Sequence, residues 1–83
     1  MVAPEDVKRY IEDKLECQHL EVIGDGHHFE AVIVSEVFVG KSRVQRHQLV
    51  YQALGDRMRE EIHALSMQTL TPEDWAQRQS TNG

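Results

Sequence analysis

Ile62-His63-Ala64-Leu65-Ser66-Met67-Gln68-Thr69-Leu70-Thr71-Pro72-Glu73-Asp74-Trp75 is the stretch that decides how this chain folds. From Ile62 to Leu70 the residues are apolar or β-tolerant on both faces, the pattern of a strand buried in a sheet. Thr71 then suits an N-cap, and Pro72 suits the first helical position, where a missing N–H costs nothing. Asp74, three residues past Thr71, adds negative charge to the first turn. A strand therefore ends abruptly in a capped helix, with Trp75 available to pack back on the sheet. One polar residue, His63, stands at the mouth of that strand.

Upstream of this unit the signals are as local and as clear. Pro4 to Glu16 reads as a helix, with Val7, Ile11 and Leu15 forming one narrow apolar stripe and Glu5 and Asp6 in the first turn. Leu20-Glu21-Val22-Ile23 is a short strand closed by Gly24-Asp25-Gly26. His28 to Glu36 is a second strand, with Phe29, Ala31 and Ile33 on one face and Val32 and Val34 on the other. So short a connection makes these two strands an antiparallel hairpin. Ser42 then caps a second helix, with Gln45 completing a capping-box pattern. The inward face of that helix is expected to carry Val44, His47, Val50 or Tyr51, Leu54 and Met58. Gly55-Asp56 breaks the run into two shorter helices.

The resulting order is α-β-β-α-α-β-α: a single α+β domain over residues 1–83, with a three-stranded mixed sheet and helices mainly on one face. A polar tail from about Gln77 is expected to fray. Eighty-three residues allow a modest core but no separate catalytic domain. A lone cysteine excludes an intrachain disulfide framework and points to a reducing compartment. Neither a basic-then-apolar leader nor a run of about 20 apolar residues is visible, so a cytoplasmic, non-membrane protein is expected.

Charge is unevenly spread. Residues 1–40 carry nine acids against three bases, whereas residues 41–59 carry Lys41, Arg43, Arg46, Arg57 and Arg59 against Asp56 alone. The net charge is −5. A local basic segment of this kind suits an acidic partner or a nucleic acid, although so acidic a chain repels phosphate over much of its surface.

The histidines acquire meaning from topology. A strand that returns after a helical crossover runs parallel to the strand it left. If the third strand lies beside the second, both begin at one sheet edge, with backbones about 4.8 Å apart. His27 and His28 open one strand and His63 opens the other, so their imidazoles can reach one metal or cluster. Chance alone often leaves two of five histidines close together, and no C-x-x-C or H-x-x-x-H accompanies them.

Several stretches also resemble a known family. Ile62-His63-Ala64-Leu65 followed by Thr69-Leu70-Thr71-Pro72-Glu73-Asp74-Trp75 resembles the C-terminal signature of BolA proteins. Gly26-His27-His28-Phe29, Phe38-Val39-Gly40-Lys41 and Gln45-Arg46-His47-Gln48-Leu49-Val50-Tyr51 match further family motifs in the same order. Nearly the whole chain is covered, and the similarity is strongest to the short bacterial, IbaG-like branch. This resemblance implies a fold related to type II KH domains, although the glycines never show the G-x-x-G spacing of an RNA-clamping loop. It also implies a partnership with a monothiol glutaredoxin, in which the two proteins share a [2Fe–2S] cluster. A glutaredoxin cysteine and a glutathione thiolate would hold one side, and His63, with His27 or His28, the other. Imidazole is a suitable ligand for iron and raises cluster potential when it replaces thiolate. Acid would then weaken cluster retention by protonating free imidazoles, in keeping with the stress-linked role of the branch.

The basic segment and the remaining polar residues allow other readings. Residues 42–61 loosely resemble a helix-turn-helix, so Lys41, Arg43, Arg46, Arg57 and Arg59 make DNA-binding transcription regulation the alternative; the same bases also suit a solvated face or a protein-docking surface. No nucleophile with a base and an orienting partner is visible, so no enzyme is expected. Cys17 reads as an inert thiol, His19 as solvated, and Trp75 as a core anchor. The isolated protein is expected to be a monomer or weak dimer.

Overall fold

Capping and strand-edge chemistry set the boundaries seen in the computed structural model, which describes residues 2–62 and 64–81. Helix α1 spans Pro4–Lys14, and the Asp6 carboxylate accepts the Ala3 N–H at 3.0 Å to close its first turn. Val7 and Ile11 are fully buried. The helix stops two residues before Glu16, where Leu15 turns to extended backbone.

Strands β1 (His19–Gly24) and β2 (His28–Val34) form the expected antiparallel hairpin, registered from His19 opposite Val34 to Gly24 opposite Phe29. β2 ends at Val34 rather than Glu36. The reason is Ser35, whose hydroxyl donates to the Glu16 carbonyl at 2.6 Å and accepts from Val37 N–H, starting a 3₁₀ turn over Glu36–Phe38. That turn drives Phe38 into the core, where it is fully buried.

Helix α2 (Arg43–Leu54) opens on a complete capping box. Ser42 Oγ accepts Gln45 N–H, and Gln45 Oε1 accepts Ser42 N–H. Gly55, at φ +59°, ends it in a conformation that disfavours a Cβ. Val50, Ala53 and Leu54 form its buried face, but Val44 is 65% exposed and Tyr51 is 41% exposed. The inward placement expected for Val44 is therefore corrected: the buried apolar residues of α2 lie in its second half, and in its first turn it is Arg46 that turns toward β3, donating to the Thr69 carbonyl. A single turn, α3 (Arg57–Glu60), follows. Strand β3 (Ala64–Leu70) is shorter than the Ile62–Leu70 reading, and Ile62 joins the core from outside the strand.

Helix α4 (Pro72–Thr81) begins on the predicted cap. Thr71 Oγ1 accepts Asp74 N–H at 3.0 Å, while Asp74 Oδ2 accepts Thr71 N–H at 3.2 Å. It continues through Thr81, past the point near Gln77 where fraying was expected. Among the described residues no helix is long and apolar enough to cross a membrane.

The sheet order is β1-β2-β3, with β3 parallel to β2. Phe29, Ala31 and Ile33 point from the central strand into a core that also holds Val7, Ile11, Phe38, Val50 and Leu54. The α-β-β-α-α-β-α order thus gives a three-stranded mixed sheet as the sequence implies, with the 3₁₀ turn as an addition.

Candidate functional site

At one edge of the sheet, β2 and β3 start side by side. His28 pairs with Ala64, and the Ala64 N–H donates to the His27 carbonyl at 3.2 Å. This is the parallel juxtaposition that the crossover argument requires. A tight loop precedes it, in which Asp25 Oδ1 accepts the N–H groups of His27 and His28, each at 2.9 Å. Those two donors, His28 foremost, hold the Asp25 carboxyl below the usual carboxylate range. The loop backbone is thereby pinned, and both histidine side chains are exposed.

His28 stands on the open face of the sheet, where its Nε2 lies 3.2 Å from Ser66 Oγ. Its neighbour Phe29 turns the other way and is buried. His63 lies outside the described residues; the chain is described again from Ala64, one peptide bond later. Among the described residues no group of three or more His, Cys, Asp or Glu side chains is arranged to hold a metal ion. What this edge offers is a partial donor set of imidazoles on a rigid corner.

Cys17 is at the opposite end of the sheet, since β1 begins beside Val34, the last residue of β2. Burial, followed by the charge of Glu12, pushes its thiol up, as suits an inert cysteine. His19 is not merely solvated: its ring stacks on Trp75 at 4.5 Å, and its Nε2 lies 2.6 Å from Glu21 Oε2. Trp75 is accordingly a half-buried rim residue rather than the core anchor expected of it.

The basic segment does not stay together. Arg57 turns toward α1, where its guanidinium sits 4.1 Å from the Tyr10 ring centroid and pairs with Glu61 at 3.8 Å. Lys41, Arg43, Arg46 and the half-buried His47 line a cleft of about 560 Å³ beside β3, and neither Arg57 nor Arg59 belongs to it. Arg78 from α4 joins them instead. The five-base patch of residues 41–59 is thus corrected to a four-base cleft with a different membership. Spacing offers a signal for Arg78: it lies four residues past Asp74, hence on the same helical face. Asp74 in turn reaches Arg46 at 3.6 Å.

Fold and site together define a small single-domain α+β protein with an open mixed sheet and exposed histidines where two parallel strands begin. The BolA-like protein family model matches residues 11–74, and the chain belongs to that family. It is similar to acid stress protein IbaG of Escherichia coli strain K12, at 37% identity over 79 residues and 94% of each chain. A DNA-binding transcriptional regulator BolA from Vibrio cholerae is 35% identical over 81 residues, covering 86% of this chain and 76% of that one. The structure of a BolA homologue from Coxiella burnetii matches with TM-score 0.80 and 46% identity, over 92% of this chain and 99% of that one. Similarity extends to yeast Fra2 (TM-score 0.75, 31% identity, 90% and 85% covered) and to the BolA domain of SufE1 from Arabidopsis thaliana (TM-score 0.75, 34%, 84% and 92%).

Proposed function

We infer that this chain is a non-enzymatic iron–sulfur partner that uses imidazoles at the β2/β3 edge to complete a [2Fe–2S] site shared with a monothiol glutaredoxin. The observation that carries this reading is the parallel start of β2 and β3, with Ala64 hydrogen-bonded to His27 and paired with His28. His27 or His28 would serve from one strand, and His63, the residue before Ala64, from the other. The donor set fits half of such a site. Imidazole nitrogen suits iron, the histidines at 27 and 28 are exposed, and Cys17 is at the far end of the sheet. The missing thiolates must therefore come from another molecule, which is the role assigned to the glutaredoxin and glutathione.

When bound, the cluster supplies electron-transfer chemistry and a transferable iron–sulfur unit. The chain's own contribution is to orient nitrogen ligands: Asp25 pins the loop backbone, and Ser66 Oγ positions the His28 ring. The BolA domain of SufE1 supports use of this fold beside another protein module. The lone cysteine fits a reducing cytoplasm.

The test mixes the purified protein with cluster-loaded monothiol glutaredoxin and glutathione. Visible circular dichroism and electron paramagnetic resonance should report a heterodimer with mixed Cys/His ligation. His63→Ala should abolish that signature, and His27→Ala and His28→Ala should separate the loop ligand from its neighbour. Identical spectra for wild type and His63→Ala complexes would refute the shared-cluster reading.

DNA-binding regulation is the second reading, favoured by the similarity to the Vibrio cholerae DNA-binding transcriptional regulator. The dispersal of Arg57 away from Lys41, Arg43 and Arg46 weakens it, because fewer bases can track one phosphate backbone.

A further inference from the structure

The cleft between the first turns of α2, the C-terminal half of β3 and α4 concentrates positive charge that the fold itself does not use. Lys41, Arg43, Arg46 and Arg78 converge on it from three parts of the chain. Only Arg46 is committed internally: its Nε donates to the Lys41 carbonyl and its Nη1 to the Thr69 carbonyl, both at 3.0 Å, and it pairs with Asp74 at 3.6 Å. Among the described residues Lys41, Arg43 and Arg78 make no ion pair. Yet 14 acids are available in the chain.

The placement also opposes the helix dipole. The first turn of α2 holds no acid and begins with Arg43, so cations crowd the end of the helix that carries partial positive charge. Mutual repulsion and dipole both disfavour this arrangement in the free protein. Both terms reverse once an anion enters.

We propose that this cleft is a binding site for a compact small-molecule anion carrying two or three phosphate groups. Three uncommitted cations match about three to four negative charges, the load of two phosphates at neutral pH. Arg43 and Arg78 bring planar forks suited to bidentate phosphate contacts, and Lys41 adds a point charge. The volume of about 560 Å³ lies within the range of small-ligand clefts, about 300–1,000 Å³. Compactness follows from the rest of the surface. Apart from the cleft bases and Asp74, which pairs with Arg46, the remaining five bases face 13 acids, net −8, so an extended polyanion leaving the site would meet repulsion.

Titrating the full chain with sodium pyrophosphate at about 150 mM salt, followed by ¹⁵N–¹H correlation spectra, tests the assignment. Saturable one-to-one shifts are expected at the amides of residues 41–47, 69–70 and around 78. Arg43→Gln and Arg78→Gln should each weaken pyrophosphate by about tenfold, with a melting temperature unchanged or slightly raised, because both side chains are exposed and unpaired and their loss relieves repulsion. Arg59→Gln and His28→Ala should leave affinity unchanged, which keeps this test independent of the iron–sulfur reading. Lys41→Gln provides a third variant should either arginine change perturb folding. Non-saturating shifts, equal loss in Arg59→Gln, or a DNA duplex that displaces pyrophosphate and binds more tightly would each overturn the proposal.

Discussion

Gly24→Ala is the substitution in which fold and candidate site meet. Gly24 ends β1 opposite Phe29, and its φ is not among the positive ones, so alanine suits the backbone. On conformational grounds alone Gly→Ala stabilises by about 0.4–1 kcal/mol, through lower entropy of the unfolded chain. Packing opposes this. An added Cβ would lie 2.5 Å from Phe29 Cδ1 and 2.6 Å from the His28 carbonyl oxygen, far inside the ordinary contact distance of about 3.5–4.0 Å. Phe29 is fully buried and cannot swing aside, and the carbonyl is held by Asp25 N–H at 3.2 Å. Relief requires the hairpin corner to shift, at an overpacking cost of about 1–3 kcal/mol. The steric term outweighs the entropic one. At central values the net cost is about 1–1.5 kcal/mol; for a domain of this size each kcal/mol lowers the melting temperature by about 4–8 °C, so a fall of about 4–12 °C is expected by differential scanning calorimetry. The same shift moves the His28 backbone, so the His28 and Ser66 amides should change most in a ¹⁵N–¹H spectrum. A variant that melts at or above wild type, with those amides unmoved, would refute the claim that Gly24 is required by close approach to β2.

Three further outcomes follow from the described contacts. Ser35→Ala removes the buried hydroxyl that joins the Glu16 carbonyl to the Val37 N–H and should destabilise by about 1–3 kcal/mol in urea unfolding. Arg46→Ala should cost about 1–3 kcal/mol because the Lys41 and Thr69 carbonyls lose a shared donor; Arg46→Lys should recover little, since an ammonium lacks the planar fork. Asp74 is held below its ordinary value by hydrogen bonds from Thr71, with Arg46 a smaller cause. A depressed folded-state value stabilises above the unfolded value and is lost as pH falls through the folded one. The stability gap between wild type and Asp74→Asn, followed by thermal melting across pH, should therefore be full at neutral pH and shrink below about pH 4.

The features legible in the order of residues alone are local. The Ser42/Gln45 and Thr71/Asp74 caps, the Gly24-Asp25-Gly26 corner and the alternation of Phe29, Ala31 and Ile33 involve residues within a few positions of one another. Hydrogen-bond chemistry and side-chain period therefore sufficed to place them. The common start of β2 and β3 was legible too, because the handedness of crossovers leaves few alternatives. Tertiary structure decided the partners. Val44 follows the period of a buried face yet is exposed, whereas Arg46, two residues on, reaches the Thr69 carbonyl of β3. His19 and Trp75 are 56 positions apart in sequence and stack only because α4 brings Trp75 over the start of β1. Arg57 left the basic segment for Tyr10, and Arg78 entered the cleft from a stretch that reads as a polar tail. Periodicity and capping report interactions along one element; which side chains meet across elements depends on the packing of the whole core, which no window of sequence contains.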